Sequence, residues 1–191
     1  MHTRRDREGM LVKYEGRVTI RTLKITDVVK LYKTYIKLSE ETKHYFHPFP
    51  ESFRSVFTVW IPLSLSSVKL FRKILQYIKP NFVYTAVVCD YQNEIVGFAF
   101  IRHTGRKHVG DLGIVVRENF QGMGIGSKLM NPLIALARRE GLTKIRLTVL
   151  ADNHRAIKLY KKFGFKITRF IKEGDIYKGK RYDCIEMWLD L

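Results

Sequence analysis

Residues Leu112 to Leu129 read LGIVVRENFQGMGIGSKL, and the rest of the chain is organised around them. The apolar run Ile114, Val115 and Val116, after Leu112 and Gly113, predicts a buried strand that ends at the charged pair Arg117 and Glu118. Gly122, Gly124 and Gly126 then occupy alternate positions, and Ile125, Leu129, Leu133 and Leu136 follow at i, i+4, i+8 and i+11, the spacing of one helix face. Glycine lets a backbone approach a ligand closely, and the first N–H groups of a helix lack partners at the positive end of its dipole. Strand, glycine turn and helix together therefore predict an anion site.

Two other glycine loops are excluded by spacing. A phosphate loop of the Walker type needs a lysine directly after its last glycine, whereas Gly126 is followed by Ser127 and then Lys128. A dinucleotide fingerprint needs G-x-G-x-x-G after an early strand, and this chain has G-x-G-x-G late in its length.

The spacing Q-x-x-G-x-G, with Gln121, Gly124 and Gly126, resembles the pyrophosphate loop of the GNAT superfamily of acyl-CoA-dependent N-acetyltransferases. A second segment, with Asn153, Ala156, Leu159-Tyr160 and Phe163-Gly164-Phe165, looks like the N-x-x-A-x-x-L-Y-x-x-x-G-F pattern of the same family. Arg21, Leu23 and Asp27 match its R-x-L-x-x-x-D opening more loosely. The resemblance spans residues 17–191 and implies an α/β fold of mixed α+β type: a central, mostly antiparallel sheet, splayed at the CoA-binding strand and flanked by helices.

Site residues follow from the resemblance one by one. The backbone of Ile114, Val115 and Val116 would lie against the pantetheine arm of CoA. The loop Gln121, Gly122, Met123, Gly124, Ile125, Gly126 and Ser127 would hold the pyrophosphate, Asn153 would contact CoA, and Tyr160 would be the general acid. Acetyl-CoA would be the co-substrate, with no metal. The loops after the first strand shape the acceptor site in this family, which would put His44 and His47 at the substrate mouth. Those two histidines make no metal site by themselves, since nothing nearby completes a ligand set.

Amine acylation needs a neutral amine and a proton for the leaving thiolate, so a base and an acid are wanted. A phenol with a pKa of about 10 stays protonated at neutral pH and can serve as the acid. The base is less well marked. Enzymes resembling the ribosomal-protein alanine N-acetyltransferases carry a glutamate five residues before the asparagine, and Thr148 stands there. Asp111 at the start of the central strand is the candidate carboxylate; His44, His103 and His108 are alternatives. A chain of waters with no single base is the remaining option.

Composition sets looser bounds. The 191 residues, 46% hydrophobic, suffice for one core, and 35 Lys and Arg against 18 acids give a net charge of +17. Such a field favours anionic ligands, CoA among them, and by itself suggests an acidic or phosphate-bearing partner. It supports a nucleic-acid-binding module only through charge, for no RNA- or DNA-binding motif accompanies it. Cys89 and Cys184 are too few for a disulfide framework, no run reaches about 18 apolar residues, and the N-terminus has no apolar leader core; a cytoplasmic protein off the membrane is expected.

Residues 1–16 read as a loose basic tail and 17–191 as one domain, with 39–80 as its variable acceptor-side segment. Alternation predicts a strand from Val18 to Leu23, and Asp27 is placed to cap a helix carrying Val28, Leu31, Tyr35 and Leu38. Val68, Phe71, Leu75 and Ile78 have helical spacing before Pro80. Tyr84–Cys89 and Ile95–Ile101 form a hairpin, Pro132 predicts a kink in the helix after the glycine loop, and Ile145–Val149 is a strand. Asn153 can cap the helix bearing Tyr160. Lys166–Ile171 and Tyr182–Leu189 close the sheet around a polar loop over 172–180. The functional alternatives are an N-acetyltransferase acting on a primary amine of a small molecule or protein, a CoA-binding sensor or scaffold without catalysis, and the basic nucleic-acid binder. Any oligomer would be a homodimer.

Overall fold

The computed structural model describes residues 2–5, 11–14, 18–47, 61–65, 68, 70–71, 73–74, 84–104 and 108–191. Nine strands and five helices are labelled here in chain order. Strands β1 (His2–Arg5) and β2 (Leu11–Tyr14) pair antiparallel as a separate two-stranded sheet, so the segment read as an aperiodic tail carries a backbone ladder of its own. The main sheet has seven strands in the order β3-β4-β5-β6-β7-β9-β8. They are β3 (Thr19–Thr22), β4 (Tyr84–Tyr91), β5 (Glu94–His103), β6 (Val109–Val116), β7 (Lys144–Leu150), β8 (Lys166–Tyr177) and β9 (Lys180–Asp190). All neighbours run antiparallel except β6 and β7, which are parallel.

The helices are α1 (Val28–Ile36), α2 (Glu40–Tyr45), α3 (Ile61–Leu65), α4 (Ile125–Arg139) and α5 (His154–Lys162). They cover both faces of the sheet. On one, α4 presents Leu129, Met130 and Leu133, none of them exposed, to Val87, Ala99, Ile101 and Ile145. On the other, Leu31 and Tyr35 of α1 and Leu63 of α3 pack on Val88, Phe98, Phe100 and Val115. Each fully buried leucine of this kind contributes about 1.5–3 kcal/mol. Alternation along β6 divides the two cores: Ile114 and Val116 face the first, Val115 the second.

Local chemistry explains the joints. Gln92 and Asn93 both have positive φ, so β4 and β5 turn in two residues, as a tight hairpin demands. Asp27 stands before α1 but gives α1 no side-chain cap. Its carboxylate instead accepts from Lys24 N at 2.8 Å and from Arg21 Nη1 and Nη2 at 2.6 and 2.9 Å. α4 runs on through Pro132 as one helix.

Two expectations change at the surface. Leu70, Phe71, Lys73 and Ile74 are helical but exposed, and Leu75 and Ile78 of the same stripe lie outside the described residues. The segment 172–180 is no loop. β8 and β9 form a long hairpin whose only turn is Lys178-Gly179, both at positive φ. A register shift between Ile171 and Asp175, with Glu173 at φ 50°, bends this arm on its way to the turn.

Candidate active site

Strands β6 and β7 pair only from Val109↔Lys144 to Asp111↔Arg146 and then diverge. Beyond that point β6 remains bonded to β5 through Leu112–Val116, while its other edge opens into a cavity of about 730 Å³. Gly113 keeps the strand against its neighbour here: a Cβ on it would meet the Phe100 ring at 2.5 Å. Across the gap the cavity is lined by Thr148, Val149 and Leu150 of β7, and at its base by the glycine loop and the start of α5.

The loop is built by its glycines. Gly122 and Gly124 have φ of 82° and 74°, a region that side chains with a Cβ avoid. Gly124 is the N-cap of α4 and supplies no side-chain bond, so the first amides of a 15-residue helix are left to whatever occupies the cavity. Gln121 secures the loop from behind. Its Nε2 donates to Val116 O at 2.8 Å and to Thr42 Oγ1 at 3.3 Å, and Arg155 Nη1 donates to its Oε1 at 2.9 Å.

Most of the residues chosen from sequence meet in this cavity: Ile114, Val115, Val116, Gln121, Gly122, Gly124, Ile125, Gly126, Ser127, Asn153, Tyr160 and His47 all line it. Met123 does not; its side chain packs against the core. Asn153 Oδ1 accepts from Ala156 N at 3.1 Å, so the residue also caps α5. Tyr160 is 7% exposed, with Phe165 beside its ring, and burial pushes its phenol well above the usual range.

The carboxylate weighed as base is elsewhere. Asp111 lies where β5, β6 and β7 are still in register, and accepts from Arg102 Nη2 at 3.1 Å and Arg146 Nε at 2.8 Å. Two guanidiniums pair with it, and it does not line the cavity. His103 packs against Thr85 and Glu140, and His108 bonds Gly141 O. His44 is also outside the lining, its ring set against Tyr45, Tyr177 and Tyr182.

The aromatics beside His44 and His47, which the resemblance also puts at the substrate mouth, are there: Tyr45 of α2 and Phe46 at its C-cap line the cavity. Residues that sequence reading missed are Glu41 of α2, Asp152 from the β7–α5 turn, and Asp175 and Cys184 from the β8–β9 hairpin. The hairpin reaches α2 through Lys178–Glu40 and through His47 Nε2, 3.1 Å from Asp175 Oδ2. His47 Nδ1 lies 3.1 and 3.0 Å from the carbonyls of Lys43 and His44. Burial, then Asp175, Asp183 and Asp152, push the Cys184 thiol up to about 11.

The family model for the acetyltransferase (GNAT) family matches residues 40–165. The chain belongs to the GNAT family. It is 37% identical over 105 residues to the L-amino acid N-acetyltransferase AaaT of Escherichia coli (strain K12), a match covering 53% of this chain and 65% of that one. The chain spans less than two thirds of the length of the first curated relatives it matches. A GNAT-family acetyltransferase from Streptococcus pneumoniae superposes with a TM-score of 0.69 at 24% identity, over 92% of this chain and all of the other. The spermidine N-acetyltransferase of Vibrio cholerae, in complex with CoA and spermine, does so with 0.67 at 21% identity, over 91% and 95%. Both share this fold. The splayed strand and the loop belong to its GNAT architecture.

Proposed function

We propose that this GNAT protein transfers the acetyl group of acetyl-CoA to a primary amine. The observation that carries the reading is the open edge of β6: Leu112–Val116 pair with β5 but have no strand partner on the other side among the described residues, and the glycine loop that follows ends in a helix N-terminus without a side-chain cap. An extended pantetheine arm can pair with such an edge as an added strand would, and the pyrophosphate fits the amides of Gly122–Ser127 at the helix N-terminus. Bound there, acetyl-CoA supplies an activated acyl thioester.

The chain's own groups do the rest. The edge of β6 orients the acyl carbon, and the first turn of α4 balances the diphosphate charge. As the new C–N bond forms and the C–S bond breaks, Tyr160 donates its proton to the departing sulfur; burial keeps it protonated at working pH. The amine loses its proton to water in the open mouth; Thr148, which lines the cavity, stands where enzymes resembling the ribosomal-protein alanine N-acetyltransferases carry a glutamate. Two unpaired cysteines, Cys89 and Cys184, fit a reducing cytoplasm as the place of work.

That same Thr148 favours a second reading, a CoA-binding sensor without turnover. Calorimetry with acetyl-CoA and a thiol-release assay over an amine panel separate the two. Micromolar binding with thiol release dependent on an amine supports the enzyme, binding without release supports the sensor, and no binding removes both.

A further inference from the structure

The outer side of α1 is apolar where a surface helix ordinarily turns polar residues to water. Leu31, Thr34 and Tyr35 face the core, yet Val29 is 54% exposed and Ile36 is exposed as well. On a period of about 3.6 residues these two fall on one line along the helix. Lys33 lies between them, Lys30 and Lys37 stand on one flank, and the half-buried Tyr32 stands on the other. Ile25, in the short helical turn Ile25–Asp27 that leads into α1, is exposed and extends the line. α1 therefore has two apolar sides, and the chain covers one of them.

A second helical segment adds to this side. α3 packs against α1 and against the Ile25–Asp27 turn. Leu70 follows its last residue, Leu65, by five positions and so lies within about 18 Å of it, and Val68 N donates to Leu65 O at 2.9 Å, which folds the chain back. Leu70 is 68% exposed, and Phe71 and Ile74 are exposed with it. Six of the ten large hydrophobic side chains exposed among the described residues thus belong to one side of the sheet, which makes them a patch instead of scatter. None of the six lines the cavity. The charge beside them is positive and unmatched. Lys24, Lys33 and Lys73 have no carboxylate partner among the described residues, and Lys37 stands 4.0 Å from a Glu94 that Arg117 already holds at 2.7 Å. Lys30 Nζ donates to the neutral Asn93 side chain, and Asp27, the one acid between Ile25 and Ile36, is buried against Arg21.

We propose that α1 and the segment bearing Leu70, Phe71 and Ile74 form a docking face for an anionic membrane surface. The apolar side chains enter the boundary between headgroups and acyl chains, and the lysines meet the lipid charges. Charge complementarity selects this occupant. A second copy of the chain would set Lys24, Lys33 and Lys37 against the same lysines, with +17 on each partner. A partner helix seats its apolar side in a groove, whereas these residues stand on the outer sides of helices, away from the cavity. Lipid accepts protruding residues, and a lysine stem can lie along apolar surface with its ammonium among the headgroups. No helix among the described residues is long and apolar enough to cross a bilayer, so the contact is with its surface. Lysines interleave the apolar residues in the sequence, and no continuous apolar run marks the face; the expectation of a protein off the membrane follows from that pattern. Docking uses none of the cavity residues and is independent of acetyl transfer.

Co-sedimentation of the full chain with vesicles tests this, using phosphatidylcholine alone and phosphatidylcholine with about one third phosphatidylserine. The wild type should partition at least about tenfold more strongly onto the anionic vesicles, a preference that shrinks as salt rises. Lys24→Gln, Lys33→Gln and Lys37→Gln together should weaken that partitioning at least about tenfold. The same change of charge on the exposed edge of β8, Lys166→Gln, Arg169→Gln and Lys172→Gln, should cost no more than about threefold, since those charges lie outside the face and are screened. Val29→Ser with Leu70→Ser should weaken partitioning about tenfold, with melting temperature and acetyl-CoA affinity unchanged because both side chains are exposed. Equal partitioning onto the two vesicle types overturns the proposal, as do equal losses from the two glutamine triples, which would reduce the binding to overall charge. Serine variants that bind like wild type would do the same by leaving the apolar residues no part in it. Absence of vesicle binding alongside self-association that the serine pair abolishes would make the face an interface between copies. Absence of vesicle binding alongside capture of polyglutamate, lost in the first triple, would assign the face to an acidic protein.

Discussion

His47 Nε2 lies 3.1 Å from Asp175 Oδ2, and both side chains line the cavity, so the bent β8–β9 hairpin is fastened to the end of α2 across the acceptor mouth. Because His47 Nδ1 also faces two carbonyls, the ring is held in one orientation. With side chains 21% and 39% exposed, the pair is well hydrated. A double-mutant cycle with His47→Gln and Asp175→Asn should therefore give a coupling of at most about 1 kcal/mol in stability. Its effect should appear in the acceptor KM, raised several-fold, with acetyl-CoA affinity intact. An acetyl-CoA affinity that falls as far as the acceptor's would show that the arm supports the whole cavity.

Gly124 tests the anion site. A methyl group there meets no atom within 4 Å, but the residue sits at φ 74°. Gly124→Ala should thus cost about 1–2 kcal/mol of stability through backbone strain and weaken acetyl-CoA binding by more than about tenfold, since the methyl occupies ligand space. Calorimetry beside thermal melting measures both. Unchanged affinity would remove the loop from the cofactor site.

Asp111 should prove structural. Asp111→Asn leaves two arginines, Arg102 and Arg146, short of a counter-charge at the point where β6 and β7 part. The melting temperature should fall while kcat stays within about threefold of wild type, far from the 10²–10⁴ lost with a proton-transfer group. A loss in that range at unchanged stability would return Asp111 to the mechanism.

Acid should loosen the β3–α1 corner. Burial alone would raise the Asp27 pKa, but the bonds from Arg21 and Lys24 N outweigh it and hold the carboxyl below its usual value. The folded pKa is the lower one, so the stabilisation is complete above the unfolded pKa of about 3.9 and is lost as pH falls through the folded value. Relative to Asp27→Asn, the wild type should be more stable at pH 7 and lose that advantage below about pH 4. A stability difference that does not change with pH would mean the carboxylate's charge contributes nothing.

The parts legible in the sequence are those with local causes. β4 to β6 announce themselves through runs of Val, Ile and Phe, α5 through Asn153, and the loop through glycines that only a left-handed turn and a close ligand require. The start of β8, Lys166–Ile171, is legible as a strand, whereas its continuation to Tyr177 is hidden because Lys172, Glu173 and Gly174 are exposed on an edge strand and carry no apolar alternation; backbone pairing and a bulge hold it instead. Asp111 misled for a related reason. Its arginine partners are its neighbours on β5 and β7, and cross-strand register cannot be read from one strand.

Tyr160 gives the sharpest test of the chemistry. Its hydroxyl belongs to a side chain 7% exposed that still lines the cavity, so Tyr160→Phe removes one oxygen and almost no packing volume. Fold and acetyl-CoA affinity should survive while kcat falls by about 10²–10⁴. The pH profile separates proton donation from mere orientation. Burial raises the phenol, so the alkaline limb it controls must lie above the ordinary tyrosine value of about 10, and any limb at lower pH belongs to another group. The phenylalanine variant should keep the low-pH limb, which reports the amine, and lose rate uniformly across the plateau. Wild-type turnover in the variant, with 1,4-diaminobutane or butylamine as acceptor, would make Tyr160 a packing partner of Phe165 and leave water to protonate the thiolate.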